Sequence, residues 1–250
     1  MANPVITHIR IVANNDVIRD FDAQFIAEYM LKTRGSIADG FSLDIPMTDI
    51  QYSLKRRILN TLFPSYAYTQ VKMYLTIAPL ASVTSGSPTG TSGAQILLNE
   101  ITLPRSNISY KLYDMRMLQI SAPLSMIGNN DLTNFLSTDG YYKSVLYFAS
   151  TSGTAPYASP SDTLINYLQL ILNLRNVLKD KYWVSLKQEN QSLFGTSMDA
   201  GYGMEIFMQD NDFAQLLALN DPVKQKSVNL KLNTTATGYL YALKNEYIDH

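Results

Sequence analysis

The fold is most visible in one segment of the sequence, Gln209–Ile248, which reads QDNDFAQLLALNDPVKQKSVNLKLNTTATGYLYALKNEYI. Two parts of it, Ser227–Asn233 and Gly238–Ile248, alternate apolar and polar side chains, which is the period-two pattern of a half-buried strand. The short polar segment Thr234–Thr237 is predicted to join these two consecutive strands. A short capped helix is predicted before them, over Asp212–Leu219. The chain is therefore predicted to end in β-structure.

The same alternation recurs upstream of this stretch. It predicts further strands at Val5–Ala13, Tyr66–Leu80, Ser109–Ala122 and Tyr141–Ser150. In total the pattern predicts about ten strands and two to four helices. Because the strands do not alternate regularly with helices, the pattern argues against a parallel α/β sheet. We predict a mainly β protein, an antiparallel jelly-roll sandwich with short inserted helices.

Some segments carry a mixed signal. Asp16–Lys32 places Ile18, Phe21 and Phe25 at helical spacing, with acidic residues near its start, and is predicted to be a helix. Asp131–Leu136 is predicted to form one or two helical turns. These segments are the predicted insertions between the strands.

Two further segments fit either a helix or a strand. Thr48–Leu62 offers a helix cap at Thr48, yet its apolar residues also alternate. Ser161–Lys181 begins with the cap Ser161-Asp162, which favours a helix, while its leucines alternate around polar residues, which favours a strand. The cap makes the helix the favoured interpretation of the second segment. Directly after it, Tyr182–Glu189 is predicted to be a strand.

Two loops of low charge divide the chain. Ser82–Gly93 and Thr151–Pro160 consist mainly of Gly, Ser, Thr and Pro, which predicts exposed loops. The second loop is the predicted boundary, with one jelly-roll-like sandwich in residues 1–150 and another in residues 151–250. The two parts show no internal sequence repeat. A double jelly roll is favoured, and a single elaborated jelly roll in one domain stays open as the alternative.

The residues available for catalysis are few. The chain has no cysteine and two histidines, His8 and His250, so a thiol nucleophile is excluded and a histidine site would depend on those two positions. The Gly-rich phosphate and dinucleotide motifs and the G-x-S-x-G elbow are absent. Asp210 and Asp212 form a D-x-D pair without the glycine and glutamate of a calcium loop. We predict no catalytic, cofactor-binding or metal-binding residue, and no enzyme.

The charge pattern points to protein partners. Only 16% of the residues are charged, whereas soluble domains typically have about 25%, and there are 17 tyrosines. The tyrosines fit a β-rich core and its rim, and low charge with abundant tyrosine is also typical of protein–protein interfaces. The net charge of −1 argues against direct binding of nucleic acid. Lys55-Arg56-Arg57 is the main basic cluster, either a solvated edge or a contact for phosphate or an acidic partner.

Signals for secretion and for membrane insertion are both missing. Met1–Arg10 lacks a basic segment followed by an apolar one, so no signal peptide is predicted. No run of residues approaches the roughly 18 apolar residues that span a bilayer. The chain is predicted to be soluble.

The order of elements in Gln209–Ile248 is similar to the end of a jelly roll in viral major capsid proteins. A short helix follows a strand, and then come a K-x-V-x-L-x-L strand, a small Thr/Gly turn and an apolar-aromatic strand that ends in Glu-Tyr-Ile. The resemblance is to the upright double jelly-roll lineage. That lineage includes adenovirus and the tailless, icosahedral phages and archaeal viruses that contain an internal membrane.

This resemblance implies a structural role. Two eight-stranded sandwiches would stand side by side, perpendicular to the capsid surface, and three chains would form a pseudo-hexagonal capsomer. The implied partners are other copies of the chain, neighbouring capsomers, other capsid proteins and an internal viral membrane close to Val5–Ala13. The protein would be made in the host cytoplasm and located in the virion.

A second hypothesis is a β-sandwich binding module of a viral spike or fibre. Exposed tyrosines and Trp183, the single tryptophan, would then form a flat platform for a carbohydrate or a receptor.

Overall fold

A computed structural model describes residues 5–34, 43–47, 62–79, 96, 98, 113–137, 140–208, 213–219 and 227–249. The strands are β1 Ile6–Ala13, β2 Asp16–Asp22, β3 Val71–Ile77, β4 Tyr113–Leu124, β5 Gly128–Leu136, β6 Tyr141–Ser150, β7 Ile165–Leu172, β8 Asn176–Tyr182, β9 Tyr202–Ile206, β10 Leu217–Ala218, β11 Val228–Thr234 and β12 Gly238–Asp249. Among these described residues, the α-helices are α1 Ala23–Arg34 and α2 Trp183–Phe194. The prediction of a mainly β protein with short helices is confirmed.

The strands form two sheets. In the large sheet the order is β10-β6-β12-β4-β2-β1-β3, and β9 also pairs with β6. In the small sheet the order is β5-β11-β7-β8. All pairs are antiparallel except β2 with β4, which is parallel. The two final strands predicted from the C-terminal sequence are both present, and they lie in different sheets, β11 in the small sheet and β12 in the large one.

The centre of the large sheet is buried on both faces. Leu146 and Phe148 of β6 contribute to a core that contains α1, whereas Val145 and Tyr147 contribute to a second core with the small sheet. This double burial explains why β6 is an almost continuous apolar run. The predicted strand Tyr141–Ser150 has the bounds that the structure gives to β6.

Two predicted helical segments are strands. The first part of Asp16–Lys32 is β2, which forms a hairpin with β1, and helix α1 begins only at Ala23. The pairing with β1 overrides the helical spacing of the apolar residues. Asp131–Leu136 lies in β5. Asn134 in this strand has a φ of 51°, which interrupts the alternation of inward and outward side chains. The sequence of β5 therefore lacks the period-two pattern that predicts a strand.

The favoured helix over Ser161–Lys181 is wrong. The segment contains β7 and β8, joined by a turn at Asn173–Arg175, so the alternating leucines were the better signal. The predicted strand over Tyr182–Glu189 is also wrong, since α2 begins at Trp183. Because this helix has no side-chain cap and no acidic residue in its first turn, the usual signals for a helix start are missing.

One further prediction is only partly matched by the structure, and two others fall on residues that the structure does not describe. The predicted capped helix Asp212–Leu219 corresponds to a 3-10 turn at Phe213–Gln215 followed by β10. The ambiguous segment Thr48–Leu62, apart from Leu62, and the loop Ser82–Gly93 lie outside the described residues.

An internal repeat is present at the level of structure, although the sequence predicts none. Strands β1 and β7 have 8 residues, β2 and β8 have 7, and α1 and α2 have 12. In both copies the helix begins at the residue after the second strand. Each hairpin also pairs its first strand with a later one, β1 with β3 and β7 with β11.

Two asparagines occupy the same position in the two copies. Asn14 and Asn173 follow the first strand of each hairpin, with φ of 52° and 51°. The Asn14 N–H donates to the carbonyl of Gln70, and the Asn173 N–H donates to the carbonyl of Ser227, at 2.7 and 2.8 Å. Each side-chain oxygen accepts the N–H of that same residue in return. Gln70 and Ser227 directly precede β3 and β11, so each asparagine fixes the start of its third strand.

The repeat predicts matched effects of mutation at these two positions. We expect Asn14→Ala and Asn173→Ala each to lower the free energy of unfolding by about 1–2 kcal/mol, since alanine disfavours positive φ and loses the side-chain acceptor. Chemical denaturation of the two variants measures this, with Asn176→Ala, at an exposed asparagine of β8, as the control. Losses that differ by more than about 1.5 kcal/mol would argue against equivalent positions.

Candidate functional site at a polar joint in the large sheet

The large sheet has a weak point between β2 and β4. These strands are parallel and share only two register pairs, Arg19 with Met117 and Asp20 with Leu118. The other neighbours in the sheet, apart from the two-residue strand β10, are paired over longer stretches; β12 with β4, for example, extends from Gly238 to Asp249. Side chains must therefore supply much of what connects β1, β2 and β3 to the rest of the sheet.

An open groove of about 800 Å³ lies over this weak point. Side chains from β1, β2, β3, β4 and β12 line it. They are His8, Arg10, Val12, Asp20, Tyr74, Thr76, Gln119, Ile120, Ser121 and Tyr241. The mixture of aromatic, hydroxyl, amide and charged groups gives the groove a polar character.

His8 bridges two carboxylates in this groove. Its Nε2 lies 2.6 Å from Asp20 Oδ1, and its Nδ1 lies 2.8 Å from Asp22 Oδ1. The hairpin produces this arrangement because β1 and β2 pair with His8 opposite Asp22 and Arg10 opposite Asp20. Arg10 lies at the edge of ion-pair distance, with its Nε 4.0 Å from Asp20 Oδ2.

Asp22 carries the network across the weak point. Its Oδ2 accepts a hydrogen bond from Gln119 Nε2 at 2.9 Å and another from the Tyr157 hydroxyl at 2.5 Å. The backbone N–H of Asp22 donates to Gln119 Oε1 at 2.7 Å. Gln119 belongs to β4, and Tyr157 belongs to the loop between β6 and β7. We call His8, Asp20, Asp22, Gln119 and Tyr157 the polar joint.

Two pKa values in the polar joint are displaced. Burial lowers the pKa of His8, but hydrogen bonds to Asp22 and Asp20 and the charges of these carboxylates outweigh it, so the pKa is raised above its ordinary 6.5. Burial and the charge of Asp22 raise the pKa of Tyr157 well above its usual range. Tyr157 therefore remains a hydrogen-bond donor to Asp22 at any physiological pH.

Arg19 forms a second connection at the same weak point. Its side chain is completely buried, and its guanidinium donates to the carbonyls of Pro46 at 3.1 Å and Met115. Nη2 lies 3.3 Å from the Met47 carbonyl. Because Met115 belongs to β4, one arginine connects β2, β4 and the segment 43–47.

Hydrogen bonds and an aromatic contact hold the loop 151–160, and with it Tyr157, against strand β6. The buried Ser150 hydroxyl lies 2.9–3.0 Å from the carbonyls of Ser152, Pro156 and Ser159. The Tyr157 ring packs on Phe148 with centroids 5.2 Å apart. The predicted loop Thr151–Pro160 is confirmed as a connection without strands, with one 3-10 turn at Pro156–Ala158.

Helix α1 makes a further polar contact with the C-terminal part of the chain. Glu28 Oε1 accepts the N–H of Asp199 at 3.0 Å, and Lys32 Nζ donates to the carbonyl of Ser197 at 2.7 Å. Burial raises the pKa of Glu28, and the Asp199 N–H opposes that change. The N-terminal repeat is thus connected to later segments on two sides.

A separate charged cluster supports the second repeat. The buried Glu205 on β9 lies 3.4 Å from Lys179 Nζ and 3.2 Å from Lys181 Nζ, and Lys181 also contacts Glu189 on α2. Burial lowers the pKa of Lys181, but the hydrogen bond to Glu189 and the charge of Glu205 raise it overall. This cluster connects β8, β9 and α2 and has the character of a structural ion-pair network.

Of the candidate residues that the sequence singled out, the structure describes His8. It lies in the polar joint, and the sequence did not predict that Asp20 and Asp22 would be its partners. His250, Asp210, Asp212 and Lys55-Arg56-Arg57 lie outside the described residues. In the part of the chain that is described, no group of three histidine, aspartate or glutamate side chains is arranged to hold a metal ion.

The tyrosines and Trp183 divide between core and surface. Tyr142, Tyr147 and Tyr247 are fully buried, whereas Tyr66, Tyr74 and Tyr182 are more than half exposed. Trp183 is 1% exposed, so the hypothesis that it forms a surface platform is wrong. None of the described helices is long and apolar enough to cross a membrane.

Comparison with solved structures shows which fold the chain has. It is similar to the major capsid protein P2 of bacteriophage PM2, with a TM-score of 0.68 and 10% sequence identity over 100% of this chain and 84% of that chain. It is similar to the major capsid protein of Sulfolobus turreted icosahedral virus, with a TM-score of 0.62 and 14% identity over 98% and 79%. For VP54 of PBCV-1 the TM-score is 0.51, with 8% identity over 98% and 81%.

These likenesses confirm the predicted jelly-roll fold. They also confirm, at the level of fold, the resemblance to capsid proteins of the double jelly-roll lineage. No protein-family model and no curated protein sequence matches the chain.

Proposed function

We propose that this chain is a major capsid protein, a structural subunit that self-assembles into a viral capsid shell. The full length of the likeness carries this proposal. The chain corresponds over 100% and 98% of its residues to two capsid proteins, and it covers 84% and 79% of them. A chain that corresponds to most of a shell subunit fits a building block better than it fits a separate binding module. Its location would be the virion, and its role is structural, without enzymatic activity.

We infer two jelly-roll-like sandwiches, in residues 1–150 and 151–250. The internal repeat supports this division, because its copies begin at Ile6 and Ile165, one in each part. Strand β12 lies between β4 and β6 in one sheet, so strands from both parts would share it. A single elaborated jelly roll is the alternative.

The proposed partners are further copies of the chain, first as a homotrimeric capsomer and then as neighbouring capsomers. Other capsid proteins and an internal viral membrane near β1 are further proposed partners. Among the apolar side chains available for contacts with other proteins are Ile77, Leu174 and Val184, each more than 60% exposed. The low fraction of charged residues, 16%, is consistent with such contacts.

The first test of this proposal is the mass of the protein in solution. Multi-angle light scattering at high concentration is expected to give about three times the chain mass of 28.0 kDa, or larger bodies. A protein that stays at 28.0 kDa throughout the concentration range would count against a shell subunit.

A further inference from the structure

The two nitrogens of His8 both face acceptors. Asp20 and Asp22 lie within hydrogen-bond distance of Nε2 and Nδ1, and a carboxylate can only accept. A neutral imidazole carries one N–H, so it satisfies one carboxylate and turns a lone pair toward the other. An imidazolium carries two N–H groups and satisfies both. The geometry therefore matches the protonated ring.

Several titratable or charged side chains surround His8 in the part of the chain that the structure describes. They are Asp20 and Asp22 on β2, Arg10 on β1, Tyr74 on β3, Tyr241 on β12 and Tyr157 in the loop 151–160. Burial raises the pKa of Tyr157 and of Tyr241, so these two phenols stay neutral over the pH range in which histidine titrates. Arg10 Nε lies 4.0 Å from Asp20 Oδ2, which is longer than a hydrogen bond. Arg10 therefore compensates only part of the negative charge of the two carboxylates.

We propose that protonated His8 is a pH-controlled fastener of the polar joint, which holds β2 against β4 and the loop 151–160 and is released when the ring loses its proton. The carboxylate of Asp22 transmits the change. It is shared between His8, Gln119 and Tyr157, so loss of the imidazolium alters the acceptor on which β4 and the loop depend. The two-residue pairing of β2 with β4 gives little backbone resistance to such loosening.

The direction of the pH effect follows from linkage. Because the pKa of His8 in the folded protein is raised above 6.5, folding favours the protonated ring. The stabilisation is complete below the pKa of the unfolded chain and is lost as the pH rises through the folded pKa. The polar joint is therefore expected to be tight in mildly acidic solution and looser in alkaline solution.

For a shell subunit, this would make the relative position of the N-terminal repeat depend on pH. That consequence rests on the proposed function, whereas the fastener is a property of the folded chain. The tests below use the folded protein and do not require a shell, so a monomer that shows the effect would refute only the capsid proposal.

The first test is an NMR titration of the His8 imidazole in a His250→Gln background, where His8 is the single histidine. The expected result is a pKa above 6.5 and two protected ring N–H groups at pH 5.5. A pKa at or below 6.5 would overturn the proposal, as would ring protons that exchange freely at pH 5.5.

The second test compares wild type, His8→Gln and Tyr157→Phe at pH 5.5 and pH 8.5. The melting temperature of the wild type is expected to fall by about 2–4 °C more than that of His8→Gln between these pH values. Amide-exchange protection factors of β2 and of the loop 151–160 should fall together in the wild type. In Tyr157→Phe the loop should lose this pH response while β2 keeps it, and Tyr182→Phe, at an exposed tyrosine, is the control.

Two outcomes of this comparison would overturn the proposal. One is an equal pH response of wild type and His8→Gln. The other is a change in protection that is confined to β1 and β2 and does not reach β4 or the loop. The first would show that His8 does not govern stability, and the second that the ring acts only within its own hairpin.

Discussion

Trp183→Ala is expected to lower the free energy of unfolding by about 3–5 kcal/mol, a large share of the roughly 5–15 kcal/mol of an ordinary domain. Trp183 is 1% exposed and packs with Leu186 against the backbone at Gly203, where an added Cβ would lie 3.1 Å from the indole ring. Truncation removes the largest buried side chain of the core between the two sheets. The cavity borders α2 and β9, so little can move to fill it.

Urea denaturation followed by circular dichroism measures this loss. The matched control is Tyr66→Ala, which removes an aromatic ring that is 83% exposed and should change stability by less than about 0.5 kcal/mol. A loss below about 1 kcal/mol for Trp183→Ala would mean that this core is packed differently from the structure described here.

Arg19→Ala is the second substitution with a large expected effect, again about 3–5 kcal/mol. The guanidinium is buried and donates to carbonyls on three segments of the chain, including Pro46 and Met115. Alanine would leave these acceptors buried without their donor, and it would leave a cavity beside the weak β2–β4 pairing. The loss of amide protection should begin at β2 and β4.

Denaturation and amide exchange of Arg19→Ala test this, with Arg175→Ala in the exposed turn between β7 and β8 as the control. Arg19→Lys should recover part of the stability, because an ammonium group can donate to some of the same carbonyls. Equal stability of Arg19→Ala and Arg175→Ala would contradict the role assigned to Arg19.

Sequence patterns predict a strand correctly where the burial of its residues is uniform along the strand. Tyr141–Ser150 is buried on both faces and is rich in aromatic residues, so its run was unambiguous. The Asp16–Lys32 segment misled because Ile18, Phe21 and Phe25 suit a helix, whereas the hairpin with β1 determines the outcome. The turn at Asn14-Asn15 was the available signal. For α2 the only terminal signal was Gly195, which has a φ of 71° just after the last helical residue.

The repeat and the polar joint were harder to anticipate. Residues at corresponding positions of the two copies differ in chemical type. Ala23 corresponds to Trp183, and Phe21 corresponds to Lys181, so a comparison of the two sequences does not reveal the repeat. The sequence singled out His8 only because histidine is rare. Its bridge to Asp20 and Asp22 depends on the register of a hairpin that was itself predicted to be partly helical. Contacts with Gln119 and Tyr157 depend on tertiary structure.

Electron microscopy of the purified protein tests the capsid proposal most directly. Negatively stained samples at high concentration are expected to show shells, sheets or capsomers of pseudo-hexagonal outline, as three copies of a double jelly roll would produce. A uniform field of particles with the size of one 28.0 kDa chain, across the pH and salt range in which the protein stays folded, would contradict the capsid proposal.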